Sequence, residues 1–187
     1  MEGTGTGTRR AIGKRISVVG ASGSGKSHLS RILGELLDLP VSALDDLCDS
    51  LPGGKLDTRE FGRHVEILAS RDGWIIDGHY LAVRHLIWRR ADTVIFLNYP
   101  LFIVFTQLLQ RYINRKLGSI GLGNRSNCPA RKDAGSNLRW HRLLKTFREH
   151  KDYAHSLRSP EYGRTNVIEL GSREAARDWL ESLRVQA

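Results

Sequence analysis

Residues 20–27 read Gly-Ala-Ser-Gly-Ser-Gly-Lys-Ser, a GxxxxGK[ST] spacing, and no other stretch constrains the fold of this chain so tightly. The spacing has physical meaning only between a buried strand and an amphipathic helix. Both neighbours are present. Residues 15–19 form a short apolar run that ends in glycine, and from Lys26 onward Leu29, Ile32, Leu33, Leu36 and Leu37 recur at helical spacing. The glycines let backbone N–H groups turn inward without Cβ clashes, and the positive end of the helix adds to their field. Gly20, Ala21, Ser22, Gly23, Ser24 and Gly25 therefore form a Walker A phosphate cradle. In that cradle Lys26 reaches the β- and γ-phosphates and the Ser27 hydroxyl ligates Mg²⁺. A nucleoside triphosphate, ATP or another, is the expected ligand.

The rest of the chain repeats the strand–helix alternation. Strands are expected over 41–44, 74–78, 93–97 and 166–170. Helices are expected from Thr58 (an N-cap, with Phe61, Val65 and Leu68 on one face), over 81–90, 100–115 and 138–157, and after Ser172. The last places Ala175, Ala176, Trp179 and Leu183 along one side. Such alternation implies a mainly parallel sheet covered on both faces, with ligands at the carboxyl ends of its strands. Gly20, Asp45, Asp77 and Asn98 all fall at those ends. The apolar stretch 93–110 is near the length of a membrane span, but Asn98 and Pro100 interrupt it, and a strand followed by a helix explains it better.

Asp77 closes the strand Trp-Ile-Ile-Asp, where a carboxylate can hold magnesium opposite Ser27; as a plain Asp-Gly turn residue it would only start a loop. Positions 78–80 hold no acid to activate water, and no NKxD sequence occurs, which argues against a hydrolytic motor and a GTPase. Asp45 and Asp46 follow the second strand, where Asp45 can address an acceptor hydroxyl or serve as a helix first-turn acid. His79 is an acid–base candidate or an oriented loop histidine. Arg111 and Arg115, four residues apart, share a helix face and suit a clamp on a transferring phosphoryl group, the alternative being a solvated face.

Charge narrows the partners. The chain carries 29 Lys+Arg against 20 Asp+Glu, a net +9, and residues 111–151 alone hold eleven cations and two anions. The whole imbalance thus lies in one segment, which favours an anionic partner: phosphates first, nucleic acid second. Cys48 and Cys128 stand far apart without a CxxC, so neither a zinc site nor a disulfide framework is expected. The start of the chain, with Gly-Thr repeats and Arg9-Arg10, lacks a signal-peptide apolar core and reads as a flexible tail over 1–13, with a cytoplasmic location expected.

The segments IxVVGxSGSGKS (16–27), LDDL (44–47), WIIDGHY (74–80), RADTVIFL (90–97) and QRYINRK (110–116) together resemble the adenylate kinase-like P-loop kinases, and more narrowly the bacterial topology modulation proteins. The resemblance implies a three-layer α/β P-loop fold with a five-stranded parallel sheet over 14–187, a substrate-side helical region at 46–72 and a mobile basic lid at 116–138. It implies that Asp77 organises magnesium and that Arg111 and Arg115 enter the phosphates as the lid closes. It also implies that Gly171-Ser172 passes the nucleotide base. His28 takes the place of a second hydroxyl residue after GKS, within the nucleotide-binding run, and leaves Ser27 as the metal ligand. Asn98 stands where the group usually has Asp. Leu81 stands where nucleotide kinases carry an acceptor-phosphate arginine, with Arg84 nearby to compensate.

The reading is a magnesium- and ATP-dependent phosphotransferase. Lys26, Asp45, Arg111 and Arg115 carry the chemistry, and Asp45, His79, Tyr80 and Arg84 face a small-molecule or nucleotide acceptor. A nucleotide-switched, nucleic-acid-associated regulator is the second reading and an antibiotic or metabolite O-phosphotransferase the third. No membrane partner is expected.

Overall fold

Alternation along the central strands divides the apolar residues between two faces, and both faces are covered. A computed structural model describes residues 12–21, 23–50, 58–78, 80–100, 155–157, 159, 162 and 165–185. Within them β1 (Arg15–Gly20), β2 (Val41–Ala43), β3 (Trp74–Asp77), β4 (Thr93–Leu97) and β5 (Asn166–Leu170) pair in parallel, in the order β2-β3-β1-β4-β5. The helices are α1 (Lys26–Leu37), α2 (Leu44–Ser50), α3 (Thr58–Ala69), α4 (Arg84–Trp88) and α5 (Arg173–Arg184).

One face of the sheet presents Val19, Trp74, Ile76, Val94 and Phe96 to Leu44 of α2, Phe61 and Val65 of α3, and Ile87 and Trp88 of α4. The other presents Ile16, Val18, Ile75, Ile95, Leu97 and Leu170 to Leu29 and Leu33 of α1 and Ala176 of α5. Neighbours in sequence thus point to opposite layers, as the two-residue period of a strand requires. The result is a three-layer α/β/α fold around a five-stranded parallel sheet. The register sets Gly20 beside Leu97, and Asp77 beside both Val18 and Ala43, so the carboxyl ends of four strands share one edge.

The opposite edge is clasped. The Arg15 guanidinium grips Asp92 at 2.6 and 3.1 Å, the Arg15 amide donates to the same carboxylate, and the Gly13 amide donates to Thr93 Oγ1 at 3.2 Å. These contacts join the start of β1 to the start of β4.

Element limits differ from expectation where the chain has to turn. The second strand stops at Ala43 because Leu44, 1% exposed, already opens α2 and is buried against the α3–α4 layer. The third stops at Asp77 because Gly78 adopts φ +142, outside the strand conformation. The helix expected over 81–90 is only Arg84–Trp88: residues 81–83 are a turn in which the Val83 amide donates to the Tyr80 carbonyl at 3.2 Å. Thr58, expected as an N-cap, lies inside α3. Strands β4 and β5 match their expected limits. The helix expected over 100–115, all but the end of that over 138–157, the lid and most of the tail lie outside the described residues. Among the described residues no helix is long and apolar enough to cross a membrane, and Thr93–Leu97 is the buried strand β4.

Candidate active site

The cradle forms because β1 ends on a residue that no side chain could replace. Gly20 has φ +153, and a Cβ there would stand 2.8 Å from the Leu97 carbonyl oxygen of the neighbouring strand. The loop then turns through Gly23 (φ +88), closes with a Ser24 amide to Ala21 carbonyl bond of 3.1 Å, and enters α1 from Gly25 (φ +94). A Cβ built on Gly25 would meet nothing within 4 Å. Among the described residues no side chain caps α1, and no acid sits in its first turn. Its first N–H groups and its dipole are therefore available to an anion. Lys26 Nζ donates to the Ala21 carbonyl at 3.0 Å, which holds the ammonium across the loop. Ser27 and His28 are exposed at the start of the helix.

Asp77 ends β3, next to β1, and is 4% exposed. Its Oδ1 is buried and has no hydrogen-bond partner. Burial pushes its carboxyl above the ordinary carboxylate range; a Ser27 hydrogen bond and the Lys26 charge pull it back, and Asp45 and Asp46 push it further up. An orphaned carboxylate oxygen beside a serine hydroxyl is a hard-oxygen donor pair of the kind Mg²⁺ takes. Among the described residues no three His, Cys, Asp or Glu side chains form a metal cage. Ser27 and Asp77 fit magnesium.

The residues expected to face an acceptor lie on α2 and in the turn after β3, packed against α3. Asp45 and Asp46 lie in the first turn of α2, which is the first-turn alternative left open for Asp45. The Tyr80 hydroxyl donates to Asp45 Oδ1 at 2.9 Å, and the Cys48 thiol, one helical turn on, is within hydrogen-bonding reach of the same hydroxyl. Burial and the Asp45 charge push the Tyr80 phenol far above its ordinary value, so it remains a donor. The Phe61 ring lies against the Tyr80 ring with centroids 5.1 Å apart. A Cβ on Gly78 would stand 2.8 Å from the Leu44 Cβ, which brings α2 close to the end of β3. The Arg84 guanidinium lies 5.0 Å over the Trp88 ring, against the core.

Asn98 closes β4, donating its backbone N–H to the Leu170 carbonyl at 2.9 Å and its amide to Glu169. Gly171 has open space where a side chain would stand, and Ser172 Oγ caps α5 by accepting the Ala175 amide at 3.1 Å. The structure thus brings Gly20, Lys26, Ser27 and Asp77 together, with Asp45 and Tyr80 bonded to one another nearby. Ser22, His79, Arg111, Arg115 and the lid over 116–138 lie outside the described residues. Sequence reasoning missed Cys48 and Phe61 as supports of Tyr80, and no spacing rule links a residue of α2 or α3 to position 80.

No family model matches the chain, and no curated protein does. Solved structures do. A gluconokinase from Sinorhizobium meliloti 1021 superposes with a TM-score of 0.55 at 18% identity, over 95% of each chain. A shikimate kinase from Acinetobacter baumannii, in complex with shikimate, gives 0.54 at 18%, over 90% of this chain and 89% of that one. A shikimate kinase from Aquifex aeolicus vf5 gives 0.51 at 16%, over 92% and 97%. The chain shares the three-layer α/β fold of these solved kinases. The expected resemblance is supported at that level.

Proposed function

We propose that this chain is a magnesium-dependent phosphotransferase that moves the γ-phosphoryl group of ATP to a hydroxyl of a small acceptor. One observation carries the reading: Asp77 keeps a buried, unpartnered Oδ1 beside Ser27 and Lys26, the first residues of the helix that follows the glycine loop. A buried carboxylate oxygen without a partner costs folding free energy, and a site for charge is the physical reason for one to persist there.

In this reading the loop amides of 20–25 and the Lys26 ammonium hold the triphosphate. Ser27 and Asp77 hold the cation, which when bound neutralises charge on the β- and γ-oxygens. The acceptor oxygen bonds to the γ-phosphorus as the bond to the β–γ bridging oxygen breaks. ADP leaves, and the hydroxyl proton passes to Asp45. Arg111 and Arg115 are proposed to clamp the transferring group, with the 116–138 segment excluding water.

A small hydroxylated acceptor is preferred to a nucleoside monophosphate. Leu81, 40% exposed, stands where nucleotide kinases place their arginine, and the Arg84 guanidinium is laid on Trp88. The solved neighbours named for gluconate and shikimate favour the same choice. An adenylate kinase-like or topology-modulation role is the narrower alternative.

The test is γ-labelled ATP with a panel of gluconate, shikimate, neutral polyols and AMP. Label is expected in one small acceptor, and Lys26→Ala should lower that transfer by about a hundredfold or more. Label moving only to water defeats the reading, and binding of DNA or RNA at low salt would then favour the regulator.

A further inference from the structure

Asp45 is exposed in the first turn of a seven-residue helix, a poor platform for a group that must meet an acceptor in one orientation. Three elements correct this. The turn after β3 brings the Tyr80 hydroxyl to Asp45 Oδ1 at 2.9 Å. The Phe61 ring of α3, itself fully buried, rests on the Tyr80 ring and limits its swing. The close approach of Gly78 to Leu44 keeps α2 close to the end of β3, so the bond spans no flexible distance.

Resting on the phosphotransferase reading, we infer that Tyr80 is a positioning residue that holds the Asp45 carboxylate toward the acceptor. This differs from a role in binding the acceptor directly. A phenol has one proton to donate, and here it is committed to Asp45. Its ring is braced by a tilted contact with Phe61, centroids 5.1 Å apart. What remains to Tyr80 is to set the direction of its partner, and misplacing a reacting group by about 1 Å can cost about a hundredfold in rate.

The test is a double-mutant cycle of Tyr80→Phe, Asp45→Asn and both together, read as γ-label transfer to whichever of gluconate, shikimate, inositol or AMP the wild type labels. Phenylalanine keeps the ring on Phe61 and removes only the hydroxyl, with its contacts to Asp45 and Cys48. Tyr80→Phe is expected to lower kcat by about ten- to a hundredfold with both KM values nearly unchanged, and the double variant should be no slower than Asp45→Asn. An unaltered kcat, a loss confined to acceptor KM, or losses that multiply would each overturn the inference. If the wild type binds MgATP yet labels nothing, the phosphotransferase reading fails on its own. The restraint is then read from tyrosine Cζ carbon resonances, of which there are five. One should move in Asp45→Asn, and no movement overturns it.

Discussion

Among the described residues, Asp77 and Ser30 are orphaned with opposite meanings. Both are buried with a polar atom lacking a partner. Asp77 faces Ser27 and Lys26 across the strand edge, whereas Ser30 sits inside α1, fully buried. Burial raises the Asp77 pKa, so folding favours its protonated form. Its contribution to stability is present below the ordinary carboxylate range and is lost as pH rises through the raised folded value. At neutral pH the ligand-free protein therefore carries a cost that Asp77→Asn removes, for a gain of about 1–3 kcal/mol that shrinks toward pH 4. The same variant should lose phosphotransfer. Thermal unfolding at both pH values, beside the labelled-ATP assay, checks the pair, and a lower midpoint at pH 7 would contradict it. Ser30→Ala should gain about 1 kcal/mol as well, but with transfer intact, because it removes an unpaired hydroxyl and improves helix propensity.

At the scale of elements, the end of the chain shows how a cap defines a helix. Ser172 adopts an extended conformation and its Oγ takes the Ala175 amide, which starts α5. Ser172→Ala should cost about 1 kcal/mol in urea unfolding with an unchanged slope. This helix was legible from its serine and its apolar stripe, as β4 and β5 were from compact apolar runs between breakers. The phosphate loop was legible because backbone geometry confines its residue types to a fixed spacing. The acceptor side was not. Asp45 and Tyr80 are 35 positions apart and meet only because β2 and β3 are neighbours in the sheet. The Arg84 guanidinium lies 5.0 Å over the Trp88 ring, and a cation–π contact has no signature in one dimension.

The molecule as a whole has two unlike edges. The amino edge of the sheet is clasped by Arg15 and Asp92, and the guanidinium holds the Asp92 carboxyl below its usual range. That contribution is present above the ordinary carboxylate pKa and is lost as pH falls through the lowered folded value. With both side chains a third or more exposed and screened, Asp92→Asn should cost only about 1 kcal/mol at pH 7, with the gap closing below about pH 4. The carboxyl edge is left to ligand: MgATP at a hundred times its Kd should stabilise the fold by about 2.7 kcal/mol. Thermal shift should show that gain in Asp92→Asn and not in Lys26→Ala.

The strand order has a consequence for how the protein is made. β1 lies at the centre of the sheet, but its partners are β3, beginning at Trp74, and β4, beginning at Thr93. While a ribosome is still extending the chain, every residue of the glycine loop emerges long before either neighbour exists to pair with β1. Pairings so distant in sequence form slowly. A truncated chain of the first 50 residues would therefore contain the complete loop sequence and hold no phosphate, since Leu97 and Asp77 are needed to shape it. Nucleotide binding by a growing chain would then report that the sheet, and not the motif, has been completed.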